Sequence, residues 1–307
     1  YLRAVGYATK ANRAGLPKMV LLADLVSDDE AAVAEAAQHV VRLASTRHGE
    51  GFVAATAEAR KKFWADRART AAIAAHTNAF KINEDVVIPL ERMGDYSDGV
   101  ERLNIELSIK NKLDLLDALE AFLAGDLPLE KNEDDALPDA EMLAARRGEA
   151  MRLLHATRAR WLAYLDAITK DDSATFHALR DHVVRVSWKS EVRAPLCTIF
   201  SGREYQPILA RCDAIHQKVL KGRVFVALHM HAGDGNVHTN IPVNSDDYAM
   251  LQEAHAAVTR IMQLATDLGG VISGEHGIGL TKLEFLAPET IDRFAAYKRE
   301  VDPLGHF

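Results

Sequence analysis

Cysteine is almost absent: Cys197 and Cys212 are the only two in 307 residues. Two thiols so few and so far apart exclude a Cys-rich zinc or iron–sulfur site within this stretch. They fit a reducing, cytoplasmic setting in which both are buried. An excess of basic charge is missing too. The net charge of −7 leaves no electrostatic footprint for nucleic acid. No apolar run approaches the roughly 18–20 residues of a membrane span, and no basic–apolar–small signal segment opens the chain. The expected location is therefore the cytoplasm, at most peripheral to the inner membrane. What is present is ordinary globular material, 48% hydrophobic and 26% charged, enough for one large domain or two ordinary ones. The chain opens on Tyr1 and stops at VDPLGHF, where a turn begins, so a fragment of a longer protein is expected.

Hydrophobic periodicity divides the chain into three parts. PKMVLLADLV (17–26) reads as a strand. Ser27, with Glu30 three residues on, reads as a capping box opening a helix. Residues 54–77 read as a second helix, and KINEDVVIP (81–89) as a strand closed by Pro89. From about 100 to 221 the pattern is helical, interrupted by an acidic, proline-containing loop at 124–138. After Gly222 strands return at 223–231 and 237–243. A helix follows at 245–270 with Ser245 as its cap, then a short strand at 271–273, a glycine-rich turn at 274–279 and two helical stretches. The expected fold class is α+β: an antiparallel sheet covered by helices, completed from distant segments, with a large helical insertion at about 100–221.

The chemistry gathers late in the chain. In HAGDGNVH (231–238), Asp234-Gly235 signals a two-residue hairpin turn. That turn places His231 opposite His238 and His229 opposite Asn240, all on one face. Opposed imidazoles roughly 4.5–5.5 Å apart at Cβ can share one metal ion. In SGEHGIG (273–279), Glu275 and His276 are adjacent in an extended stretch, so they point opposite ways. One can ligate the metal while the other faces a substrate. Two histidines and a carboxylate form a familiar open site, and an imidazole suits a general base near neutral pH.

These residues carry a family resemblance. HAGDGNVH, Asn240 and GGVISGEHGIGLTK (269–282) resemble the C-terminal domain of the FAD-linked oxidases, a family that includes D-lactate dehydrogenase, glycolate oxidase and D-2-hydroxyglutarate dehydrogenase. LHMHAGDGNVHTNIPVNSDDY (228–248) most resembles a bacterial subgroup fused to an iron–sulfur domain. The resemblance implies His231, His238 and Glu275 as ligands of a divalent metal, zinc first, with manganese or iron(II) as alternatives. It implies His276 as the catalytic base and Asn240 as a polar neighbour of metal and substrate. FWADR (63–67) resembles the family's Trp-x-x-Arg, which gives Arg67 the substrate carboxylate, and KINEDVVIP resembles a segment that gives Lys81 a second contact. Met230 departs from the glycine of many members.

The implied activity is FAD-dependent oxidation of a small D-2-hydroxy acid, of the D-2-hydroxyglutarate or D-lactate type, to the 2-oxo acid. The FAD-binding domain is absent from this chain, so the partners expected are the protein's own FAD-binding domain, an iron–sulfur domain carrying its clusters, and the hydroxy acid. The fragment alone is expected to be inactive. A metal-dependent hydrolase using the same residues and a non-catalytic interaction domain are the alternative readings.

Overall fold

The computed structural model describes residues 20–68, 79–130 and 139–307. The chain divides into two units, residues 1–77 and 78–307.

The first unit holds α1 (Glu30–Thr46) and α2 (Ala57–Ala68). The cap of α1 is Asp29, not Ser27: its carboxylate accepts the amides of Ala31 and Ala32 at 2.8 and 3.3 Å, while the Ser27 hydroxyl accepts from the Asp29 amide. A carboxylate satisfies the open amides and adds a charge that the helix N-terminus favours. Residues 20–26 form no strand. Leu21 and Val26 are exposed there, and a β-branched run without a ladder partner has nothing to hold it extended. The remainder of that expected strand, 17–19, and residues 69–77 of the expected second helix lie outside the described residues.

The second unit is built on a three-stranded antiparallel sheet of β1 (Ala79–Val87), β2 (Ala227–His231) and β3 (Asn236–Asn244), in the order β1-β3-β2. Strand alternation sorts its two faces. Val86, Val237, Ile241 and Val243 are buried on one face, in a core shared with the first half of α3 (Met93–Ala124) and with α8 (Tyr248–Asp267). The other face is polar and carries the residues discussed below. The class is α+β, as expected. Several boundaries differ: β1 spans 79–87 rather than 81–89, β3 gains a residue at each end, β2 begins only at Ala227, and the cap of α8 is Asp247, whose carboxylate accepts from Met250 at 2.9 Å, rather than Ser245. The expected strand 271–273 is reduced to a single bridge between Val87 and Val271, and the helical stretch after Gly279 to one 3-10 turn at Leu283–Phe285 before α9 (Pro288–Val301).

The helical block has a core of its own. The second half of α3 packs with α4 (Ala140–Thr169), α5 (Ser173–Arg180), α6 (Ala194–Ile199) and α7 (Gln206–Lys221) around Trp161, Leu119, Phe200 and Tyr205. α3 thus belongs to both cores: Tyr96 and Val100 join the sheet's core, and Leu116 and Leu123 the helical one. The helical pattern starts at Met93 rather than near 100. Cys212 is buried among these helices, its thiol pushed up to about 12 chiefly by burial; Cys197 is exposed, contrary to expectation.

Glu106, 3% exposed on α3, accepts both Arg260 nitrogens from α8 at 2.6 and 2.9 Å. Charge-assisted bonds of this kind contribute about 1.5–3 kcal/mol when desolvated, but the Arg260 side chain is 48% exposed, so water screens the pair and receives the guanidinium when Glu106 is truncated. Glu106→Ala is expected to lower stability by about 1 kcal/mol, read as a lower melting temperature of the full-length protein. A melting temperature equal to wild type would show that the α3–α8 seam does not depend on the pair.

Candidate active site

The polar face is assembled from all three strands. Asp85 of β1 faces His238 of β3, which faces His229 of β2; one step along, Asn83 faces Asn240, which faces Ala227. His231 faces Asn236 at the mouth of the hairpin. This register differs by two residues from the sequence expectation of His231 opposite His238. The cause lies in the turn. Gly235 is not its tip: its carbonyl accepts the Ile88 amide at 2.9 Å, and the turn spans Ala232–Gly235, with the Asp234 amide on the His231 carbonyl at 3.0 Å. Gly235 has φ +74°, and a Cβ there would lie 2.3 Å from the Ile88 oxygen, so β1 approaches only because the residue is glycine. A shift of two is one full strand period, so the same side chains stay on the same face.

The segment after α8 folds across this face. Val271 exchanges both backbone hydrogen bonds with Val87 at 2.9 Å. The chain then passes over Asp85, which sequence reasoning did not single out. Its carboxylate accepts the amides of Gly274 (2.7 Å), Glu275 and His276 (3.1 Å), and the Lys282 ammonium at 2.6 Å. Lys282 also donates to the Asp85 carbonyl at 2.9 Å and pairs with Glu84 at 3.3 Å. Asp85 and Lys282 are 0% and 1% exposed. Burial by itself would raise the Asp85 carboxyl; the ammonium and the three amides outweigh it and hold it well below the usual carboxylate range. Gly274 is pinned equally tightly, since a Cβ would stand 2.8 Å from a Val87 methyl and 2.9 Å from Asn236 Oδ1.

This tether sets Glu275 over the two histidines. Its carboxylate lies 3.4 Å from His231 Nε2 and 3.6 Å from His238 Nε2, and Asn236 Nδ2 donates to it at 2.8 Å. One ligand atom from each of His231, His238 and Glu275 falls within 4.8 Å of the others. Both nitrogen–oxygen distances are long for hydrogen bonds. They match the edge of about 3.3 Å that a tetrahedron with bonds of roughly 2.0–2.1 Å requires, so the donor set fits a zinc-sized divalent ion. Burial pulls His238 below its ordinary value; Glu275 opposes that shift and His276 adds to it. A neutral imidazole has the lone pair that a metal needs.

His276 stands beside this cluster, its ring 5.0 Å from that of His238 and its Nδ1 3.6 Å from Asp85 Oδ1. His229 completes the group, with ring centroids 5.9 Å from His231 and 5.8 Å from His238. Asn240 lies two residues along the same face. Lys81 is on that face too, exposed opposite Pro242, about 13–14 Å along the strand from Asp85. Arg67 falls near the end of α2, and its side chain lies outside the described residues.

The model of the family "FAD linked oxidases, C-terminal domain" matches residues 14–125 and 104–307. The chain belongs to this family. Among its relatives, the glycolate oxidase subunit GlcD of Bacillus subtilis is 33% identical over 94 residues, which cover 29% of this chain and 20% of that protein. The Escherichia coli K12 protein of the same name is 37% identical over 84 residues, 26% of this chain and 17% of the relative. A D-lactate dehydrogenase of Archaeoglobus fulgidus is 43% identical over 77 residues, 24% and 16% of the two chains. The chain thus spans a fifth or less of the length of these relatives. No helix among the described residues is long and apolar enough to cross a membrane.

Proposed function

We propose that this chain is the substrate- and metal-holding part of a flavin-dependent dehydrogenase that oxidises a D-2-hydroxy acid, of the D-2-hydroxyglutarate or D-lactate type, to the 2-oxo acid. The observation that carries the reading is the convergence of His231, His238 and Glu275 with His276 immediately beside them. The names of the family and of its glycolate and D-lactate relatives support the substrate class.

His231, His238 and Glu275 would hold the divalent metal, with zinc the first choice. A metal bound there supplies Lewis acidity toward the substrate hydroxyl and one carboxylate oxygen. His276 takes the hydroxyl proton at Nε2, because its Nδ1 is turned toward Asp85. Asn240 offers its amide to the substrate oxygens, and Arg67 and Lys81 hold carboxylate groups and fix the acid's orientation. FAD, bound by the rest of the protein, supplies the acceptor for the two electrons and the C2 hydrogen. His276 holds the hydroxyl proton, and FAD, when bound, would supply the acceptor for the C2 hydrogen with its electron pair, which balances formation of the 2-oxo acid. An iron–sulfur domain downstream of the flavin and a cytoplasmic site at the inner-membrane surface complete the proposal.

Full-length protein is expected to reduce an artificial electron-accepting dye when given D-2-hydroxyglutarate or D-lactate. Chelation should abolish that activity, and added zinc should restore it. Hydrolysis of ester or amide substrates without dye reduction would replace this reading with a metal hydrolase. Unchanged dye reduction after verified metal removal would sink the metal's role.

A further inference from the structure

Several arginines of the helical block are held in ion pairs. Arg158 meets Asp117 and Glu120 at 2.6 and 3.0 Å, Arg180 meets Asp98 at 3.1 Å, Arg193 meets Asp213 at 2.7 Å and Arg102 meets Asp171 at 3.0 Å. One cleft instead gathers three cations that lack such partners among the described residues. It has a volume of about 510 Å³ and lies between α3, residues 182–187 and residues 223–225. Lys112, Arg185 and Arg223 line it, with Glu101 the only carboxylate on its wall. None of the three cations makes an ion pair among the described residues. Lys112 donates to Ser108 Oγ at 2.6 Å, and Arg223 lies over the Phe225 ring at 5.3 Å.

Lys112 feels this deficit. Burial, and after it the Arg223 charge, push it down to about 8, with Glu191 opposing. Glu191 offers little relief, because its oxygens already accept from Arg160, Trp161 Nε1 and the Ser187 amide. A half-buried ammonium without a carboxylate is costly, and a chain of net charge −7 has acids to spare. Three cations so placed belong to a ligand rather than to the fold.

We infer that this cleft is a binding site for a small organic phosphate. Three cations against one carboxylate leave two positive charges, which a phosphate monoester dianion matches. Its tetrahedral oxygens suit two guanidinium forks and one ammonium, with the Ser108 hydroxyl as a further donor. The volume is that of a small-molecule pocket, far larger than orthophosphate alone needs. Ile105, Ile109, Leu179 and Val184 on the same wall offer apolar surface to the organic part. The cleft touches both cores through α3, independently of the histidine site.

The test is calorimetric titration of the full-length protein with phenyl phosphate, inorganic phosphate and glutarate at a fixed chloride ionic strength. Phenyl phosphate is expected to bind saturably at one site, more tightly than either other probe. Lys112→Gln and Arg185→Gln should each weaken it by roughly tenfold. Arg185 is exposed, so its replacement leaves folding intact and keeps the test decisive should the Lys112 variant fail to fold. No saturable binding, or binding unchanged in the Arg185 variant, overturns the site. Glutarate binding as tightly as phenyl phosphate overturns the phosphate assignment.

Discussion

Replacing His276 with alanine in the full-length protein is expected to lower kcat for the 2-hydroxy acid by about 10²–10⁴-fold, the usual share of a general base, while metal content stays unchanged. The two halves of that expectation come from separate features. His276 is not one of the three converging donors, so its removal leaves the proposed metal ligands in place. Its side chain is one-third exposed while Nδ1 looks back at Asp85, which leaves Nε2 as the atom proposed to receive the proton. His238→Ala should behave differently, losing metal and turnover together, because His238 is 7% exposed and central in the cluster. Metal analysis alongside steady-state rates separates the two variants. Full turnover by His276→Ala would remove it from the proton transfer, and metal loss in that variant would make it a ligand.

The face of the sheet was legible in the sequence, and the register was not. Alternation in LHMH and VHTN is local, so the side on which His229, His231, His238 and Asn240 fall follows from period two alone. The pairing depends on the Ile88 amide claiming the Gly235 carbonyl, a bond across roughly half the chain that no hairpin propensity contains. Asp85 was hidden for the same reason. In KINEDVVIP it is one of two adjacent acids, and only the pairing of β1 with β3 decides that Asp85 turns toward His238 while Glu84 faces the other way. The strand expected at 17–26 failed where propensity was the only argument, since a strand needs a partner. The α+β class was readable because it rests on where strands and helices alternate along the chain. The family resemblance suggested roles for Arg67 and Lys81 that spacing could not; Lys81 lies on the polar face but opposite Pro242, four residues along β1 from Asp85.

Asp85→Ala is expected to have the largest effect on stability of any substitution in the site, about 3–5 kcal/mol, seen as a melting temperature lower by about 10 °C. Five donors lose their acceptor at once: the Lys282 ammonium, the amides of Gly274, Glu275 and His276 and, more weakly at 3.4 Å, the Ser273 hydroxyl. The ammonium is the worst of these: at 1% exposure water cannot replace the lost carboxylate, and it keeps only Glu84 at 3.3 Å and the backbone carbonyl of residue 85. Lys282→Met should therefore cost less than Asp85→Ala, since Asp85 keeps three amide donors when the lysine goes. The double variant Asp85→Ala, Lys282→Met should recover part of the loss but not all of it, the remainder belonging to the three amides. Zinc affinity discriminates further. Asp85 is not one of the three proposed donors, yet its carboxylate accepts the Glu275 backbone amide, so freeing that loop should weaken zinc binding about 10–100-fold, as loss of a supporting partner typically does. Asp85→Asn keeps one acceptor oxygen for the loop and should fall between wild type and alanine on both readouts. A double variant as unstable as Asp85→Ala alone would show that the buried ammonium is not the source of the cost. Zinc affinity unchanged in Asp85→Ala would show that Glu275 holds its place without the tether.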